Sequence, residues 1–195
     1  MTPTQNASIL FGTVESEFIA GTAGADTIDA LPGNDLVYGY DGNDSLFGGT
    51  GMDTLYGGLG DDVLAGGAGK DKLYGDDGDD QLQGGKAADL LKGGYGSDTF
   101  IFDFADLDGA DTIDFNAIAG SPPDLIRLID FGFTGLIEGE NFFFNAFPTV
   151  EVPALFYYKN VLYFDWDGPA DASSIPIAIF IVAPIDLNVT DFILG

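Results

Sequence analysis

Aspartate recurs every nine residues through the first half of this chain, at Asp26, Asp35, Asp44, Asp53, Asp62, Asp71, Asp80, Asp89 and Asp98. Each stands in a glycine-rich stretch that reads as a tight turn. Short carboxylates beside converging backbone carbonyls are hard oxygen donors, and the chemistry such a pattern supports is the holding of a hard divalent cation. The composition agrees. Of 32 acidic residues 27 are Asp and 5 are Glu, against 6 Lys and Arg, for a formal charge of −26. A bare chain of that charge repels itself on compaction, so a cationic partner is expected. Cysteine and histidine are both absent. Their absence removes the usual structural zinc sites, thiol chemistry, Ser/His/Asp triads and histidine general bases. Nucleic acid and anionic membranes need basic patches that six scattered cations cannot make.

The elements that must position these carboxylates are nonapeptides. Nine units run without insertion from Gly21 to Ile101: GTAGADTID, ALPGNDLVY, GYDGNDSLF, GGTGMDTLY, GGLGDDVLA, GGAGKDKLY, GDDGDDQLQ, GGKAADLLK and GGYGSDTFI. The sixth position is always Asp, and the eighth is always a large apolar residue: Ile28, Val37, Leu46, Leu55, Leu64, Leu73, Leu82, Leu91, Phe100. Positions one to six are expected to form a turn and positions seven to nine a very short strand, with the eighth side chain facing inward. A three-residue strand holds no core alone. Two units therefore make one coil of 18 residues, successive coils stack as parallel strands about 4.8 Å apart, and like turns line up in two rows along opposite edges. Carboxylates accumulate in those rows, and a cation between neighbouring turns makes the stacking tolerable.

The units match the pattern G-G-x-G-x-D-x-(apolar)-x, and on these residues the chain resembles the RTX (repeats-in-toxin, haemolysin-type) calcium-binding proteins. The resemblance implies an all-β fold, a right-handed parallel β-roll followed by a small antiparallel β-rich C-terminal domain. It also implies the ligands. Each Ca²⁺ is held by the second and fourth carbonyls and the sixth Asp of one turn, with the first and third carbonyls and the Asp of the turn 18 residues on. On this chain one site joins Gly49, Gly51, Asp53 to Gly66, Ala68, Asp71, and the next, in the other row, joins Gly58, Gly60, Asp62 to Gly75, Asp77, Asp80. Two more join Tyr40, Gly42, Asp44 to Gly57, Leu59, Asp62, and Gly67, Gly69, Asp71 to Gly84, Lys86, Asp89. The same scheme draws in Thr22, Gly24, Asp26, Gly39 and Asp41, then Gly33, Asp35, Gly48 and Thr50, and finally Asp76, Gly78, Gly93, Tyr95 and Asp98. Six oxygens per ion suit calcium better than magnesium, and nine turns allow seven sites, of which about four to six are expected to fill. Ala30-Leu31-Pro32 and Ala87 depart from the pattern and weaken the sites at Asp35 and Asp89. GTVESEFIA, from Gly12, keeps the apolar eighth position at Ile19 but has Glu17 at the sixth, so residues 1–20 read as an N-terminal cap.

Beyond the roll at 21–101 the composition changes, and 14 of the 17 Phe lie at or after Phe100. Residues 102–195 read as a β-rich C-terminal capping and secretion domain. Its short β-prone stretches are Thr112–Phe115, Leu125–Ile129, Asn141–Phe144, Leu155–Tyr158, Val161–Phe164 and Ile177–Val182. Lys159-Asn160 reads as a hairpin turn. Asp111-Thr112-Ile113-Asp114-Phe115, Asp124 to Leu128 and Val161 to Gly168 are similar to segments that follow RTX arrays. The tail Asp191 to Gly195 resembles those read by type I secretion systems, as an address and not a packed element. Asp165 and Asp167 read as turn residues, with an extra calcium site or a catalytic pair as alternatives; Glu138 and Glu140 read as loop residues, and Trp166 as core.

The reading is a secreted, non-enzymatic calcium-binding protein that folds when several Ca²⁺ ions bind. Its expected partners are calcium ions, type I secretion machinery and an extracellular polysaccharide or cell-surface partner, with no nucleic acid. No N-terminal signal peptide is read in Met1–Thr13, and no apolar run is long enough to span a bilayer. The alternatives are an accessory module of a larger RTX exoenzyme or adhesin and a carboxylate-based enzyme acting on polysaccharide.

Overall fold

The computed structural model describes residues 7–103, 111–114, 124–129, 142–144, 154–158, 161–165, 175–181 and 192–194. The nonapeptide period appears as two facing stacks of parallel strands. β1 (Ile9–Phe11), β3 (Thr27–Asp29), β5 (Ser45–Thr50), β7 (Val63–Ala68), β9 (Gln81–Lys86) and β11 (Thr99–Asp103) follow one another in one sheet. β2 (Phe18–Ala20), β4 (Leu36–Asp41), β6 (Thr54–Leu59), β8 (Lys72–Asp77) and β10 (Leu90–Tyr95) do so in the other. Each strand pairs in parallel with the strand 18 residues on, as in Ser45↔Val63 and Thr54↔Lys72. Consecutive strands thus lie in opposite sheets, and the chain is a β-solenoid.

The strands are longer than the three residues expected. β4 to β10 each run six residues, from the seventh position through the third of the next unit. The reason is that second and third positions pair as well, Tyr40 with Gly58 and Asp41 with Leu59. Only positions four to six remain as turn. Alternation along the strand puts the eighth and first positions inside. The eighth-position residues Ile28, Val37, Leu46, Leu55, Leu64, Leu73, Leu82, Leu91 and Phe100 are at most 1% exposed. Each contributes about 1.5–3 kcal/mol by burial. The first position is buried glycine in most units, because a Cβ there would run into the sixth-position carboxylate of the same turn. On the outer face Tyr38, Tyr56 and Tyr74, all ninth positions, stack with ring centroids 4.7 Å apart.

Parallel pairing continues past Ile101. β12 (Thr112–Asp114) lies beside β10 with Ile113 opposite Leu91, and β13 (Leu125–Ile129) beside β11 with Ile126 opposite Phe100. Ile113 and Ile126 are fully buried, like eighth-position residues. These two segments, read from the sequence as strands of a separate antiparallel unit, take parallel places in the roll. Insertions hide this, since Asp89 to Asp111 spans 22 residues and Asp98 to Asp124 spans 26 in place of 18. Further on, β14 (Phe142–Phe144), β15 (Ala154–Tyr158), β16 (Val161–Asp165) and β17 (Ile175–Ile181) extend the second sheet, with β15, β16 and β17 pairing antiparallel. β18 (Phe192–Leu194) pairs with β13, so in the folded chain the tail is a packed element, contrary to the expectation that it is not. Glu138, Glu140, Lys159-Asn160, Trp166 and Asp167 lie outside the described residues. Among the described residues no helix is long and apolar enough to cross a membrane.

Candidate metal centre

The sixth-position aspartates form a buried ladder along each edge. On one edge the backbone N–H of Asp26 donates to Oδ1 of Asp44 at 2.7 Å, Asp44 to Asp62 at 2.7 Å and Asp62 to Asp80 at 2.8 Å. On the other, Asp35 donates to Asp53, Asp53 to Asp71 and Asp71 to Asp89, each at 2.8 Å. Every one of these aspartates is 3% exposed or less. Stacked parallel turns bring each carboxylate under the amide of its predecessor, so one oxygen is used by the fold itself.

The second oxygen is not. Oδ2 of Asp35, Asp44, Asp53, Asp62, Asp71, Asp80 and Asp98 is buried with no hydrogen-bond partner. A buried, unpartnered carboxylate oxygen is costly unless a cation or proton meets it. The first-position glycines show where that partner fits. A Cβ built on Gly48 would lie 2.6 Å from Asp53 Oδ2 and 2.6 Å from the Gly66 carbonyl oxygen, and one on Gly66 2.5 Å from Asp71 Oδ2 and 2.7 Å from the Gly84 carbonyl. The missing side chain leaves a gap lined by a carboxylate of one turn and a carbonyl of the next. Those are oxygen donors only, a set that fits Ca²⁺.

Burial raises the carboxyl groups of Asp62 and Asp71 to about 7, Asp80 to about 8 and Asp98 to about 6. The donated backbone N–H opposes that rise, and neighbouring acids, Asp44 beside Asp62 and Asp98 beside Asp80, add to it. Asp44 and Asp53 shift upward for the same leading cause. Among the described residues no three acidic side chains converge on one point. Any ion is therefore held by two ladder carboxylates at most and otherwise by backbone carbonyls. The turns from Tyr40 to Gly96 are shaped for this: their second and fourth positions sit in the left-handed region, as at Gly49 (φ 99°) and Gly51 (φ 136°). Third-position carbonyls at Leu59, Asp77 and Tyr95 already accept the N–H of Gly42, Gly60 and Gly78, which leaves each one lone pair.

The model of the RTX calcium-binding nonapeptide repeat matches four times, over residues 11–46, 38–73, 47–82 and 74–113, together more than half of the chain. The chain belongs to the RTX calcium-binding repeat family. An RTX roll of this kind is a structural, non-catalytic scaffold. Among solved structures the chain is similar to the extracellular lipase LipA from Serratia marcescens, at 17% identity and a TM-score of 0.29. That match covers 97% of this chain but spans only 40% of the lipase. No curated protein matches the chain.

RTX turns in this chain are not equivalent. The Asp26 carboxylate is satisfied within its own turn by the N–H of Thr22 at 2.5 Å and its Oγ1 at 3.0 Å. Glu17 is held in the same way by the N–H and Oγ1 of Thr13, at 2.7 and 2.8 Å. In the second unit Ala30 puts a real Cβ where other units have none, and both Asp35 oxygens are the atoms that a Cβ on Gly33 would meet first. Ala87 holds a left-handed φ of 78° that glycine adopts elsewhere. Asp41, Asp76 and Asp77 are exposed, so these three face the RTX ladder only through their backbone.

A second ladder, not expected from the sequence, runs through the fifth positions. Asp61 N–H donates to Asn43 Oδ1 at 3.2 Å, Asp79 to Asp61 at 3.1 Å and Ser97 to Asp79 at 2.8 Å, while Met52 donates to Asn34 on the other edge at 2.7 Å. It runs in the opposite sense to the inner one, the later residue donating to the earlier. Asn or Asp at the fifth position of several units is the signal that would have found it.

Proposed function

We propose that this chain is a secreted calcium-responsive scaffold that folds as Ca²⁺ fills the gaps between stacked RTX turns. The observation that carries this is the recurrence of buried carboxylate oxygens without partners, rung after rung, in gaps lined by carbonyls. Bound there, calcium supplies the positive charge and electrophilic coordination that these oxygens lack. Asp44, Asp53, Asp62, Asp71 and Asp80, with the first-, second-, third- and fourth-position carbonyls of Gly39 through Tyr95, are the residues that would hold it. Turns at Asp26 and Asp35 have weaker claims, the first because Thr22 satisfies it and the second because Ala30 carries a Cβ where the other units have glycine.

In low calcium the chain remains unfolded, because a thin core cannot offset both chain entropy and the repulsion of −26 charges. Outside the cell calcium converts binding free energy into folding free energy. The segment after β13 caps the roll, with β15 to β17 as an antiparallel element, and the acidic-apolar tail serves type I export. An extracellular polysaccharide or cell-surface partner fits a rigid, strongly acidic rod. A calcium titration of the intact chain, followed by far-UV circular dichroism with magnesium as comparison, tests the reading. A cooperative gain of β signal in calcium alone is expected. A chain equally folded in chelator would overturn it.

A further inference from the structure

We propose that the metal column on one edge runs one rung past the nonapeptides, with a divalent cation held between the turn at 93–98 and Asp124. This rests on the calcium reading above but assigns a site that the nine-residue period does not contain. Asp124 lies 26 residues after Asp98 and outside the matched repeats, which end at residue 113. Even so, it reproduces the hydrogen bonds and register of a repeat rung, with a carboxylate half-buried where those of the repeats are buried. Asp98 N–H donates to Asp124 Oδ1 at 3.0 Å, as Asp80 N–H does to Asp98 Oδ1 at 3.0 Å. Leu125 N–H donates to the Asp98 carbonyl at 2.7 Å, as Thr99 N–H does to the Asp80 carbonyl at 2.7 Å. Ile126, two residues on, is fully buried opposite Phe100. Asp124 is thus a sixth-position aspartate without its nonapeptide.

The turn beneath it lacks a partner. Asp98 is 0% exposed, its Oδ2 has no hydrogen-bond partner, and that oxygen is the atom nearest the gap at Gly93. Gly94 and Gly96 hold φ of 130° and 132°, the left-handed setting shared by second and fourth positions below. Gly94 and Gly96 carbonyls, Asp98 and Asp124 are therefore the donors this chain offers. A cation at this rung ties the first coil after the repeats to the last repeat turn, which makes docking of β13 calcium-dependent.

The test uses the full chain, with bound calcium counted by equilibrium dialysis for wild type, Asp124→Asn and, as control, Asp114→Asn. Asparagine keeps an acceptor for Asp98 N–H, so the ladder survives while the charged donor is lost. Asp124→Asn is expected to bind one ion fewer, and Asp114→Asn the wild-type number. Amide exchange gives a second readout. The calcium concentration protecting Leu125 should rise several-fold in Asp124→Asn, with that protecting Thr54 unchanged. An unaltered count and an unaltered Leu125 midpoint overturn this site while leaving the calcium-binding roll intact. A wild-type chain that binds no calcium overturns both.

Discussion

Neighbouring carboxylates in one turn carry different roles because they point differently. Asp62 accepts Asp44 N–H inside the roll and keeps a bare Oδ2, whereas Asp61 is exposed and accepts only Asp79 N–H. Asp62→Ala leaves a buried N–H unsatisfied, a loss of about 1–3 kcal/mol, and removes a calcium donor besides. Asp61→Ala forfeits one exposed hydrogen bond, about 0.5–1.5 kcal/mol. Calcium midpoints of folding for the two variants check this order, and a larger shift for Asp61→Ala would contradict the register. Asp62→Asn separates the two parts of the effect: it should stabilise the metal-free chain, by deleting a buried charge, and raise the calcium needed. The raised carboxyl groups also fix a pH dependence. Asp62, Asp71, Asp80 and Asp98 have folded values of about 7, 7, 8 and 6 against an ordinary 3.8, so the fold favours their protonated forms. Their contribution to metal-free stability is fully present below about pH 4 and lost as pH rises through about 6 to 8. In chelator, far-UV circular dichroism should show more β structure at pH 5 than at pH 8. In calcium the sign reverses, because protons and the ion compete for the same oxygens.

At the scale of the turn and strand, backbone conformation decides which substitutions are tolerated. A Cβ on Gly51 would fall on the Gly33 carbonyl oxygen, and one on Gly69 on that of Gly51. Gly51→Ala and Gly69→Ala should therefore unfold the array at calcium levels that saturate wild type. Ala87 already pays a left-handed φ of 78°. Ala87→Gly should gain about 0.5–1 kcal/mol, since the strain relieved, about 1–2 kcal/mol, exceeds the entropy that glycine adds to the unfolded chain. Thermal melts in saturating calcium check both signs. These elements were legible in the sequence because period and side-chain type carry them: the invariant Asp26 to Asp98 mark the ladder, and Ile28 to Phe100 mark the interior. The six-residue strands were hidden because Tyr40, Asp41 and Gly58 pair through backbone alone, which leaves no trace in side-chain pattern. Asp111 and Asp124 were hidden because insertions break the period while the stacking geometry absorbs them. Thr13 and Thr22, whose hydroxyls close the first turns, look like ordinary variation at the second position until those hydroxyls are seen on Glu17 and Asp26.

The whole molecule behaves as a one-dimensional stack, because each coil contacts only its neighbours above and below. Yet the rungs are not independent. Asp62 accepts from Asp44 and donates to Asp80, so its position is set by one rung and sets the next. Ordering one turn prepares half the donors of the adjacent gap, and an ion bound there makes the following gap cheaper to fill. Folding by calcium should therefore be steep, with a Hill coefficient above one, although the interior gaps from Asp44 to Asp80 are chemically similar. Place in the stack then matters more than local chemistry. Asp26 stands near an end and is satisfied by Thr22, so Asp26→Asn should leave both midpoint and steepness close to wild type. Asp62→Asn lies inside the ladder, between Asp44 and Asp80, and should flatten the titration, dividing the array on its edge into shorter cooperative runs. Circular dichroism against free calcium for the two variants decides the matter. Equal steepness in both would mean that turns bind their ions one at a time, and that the aspartate ladder transmits nothing along the roll.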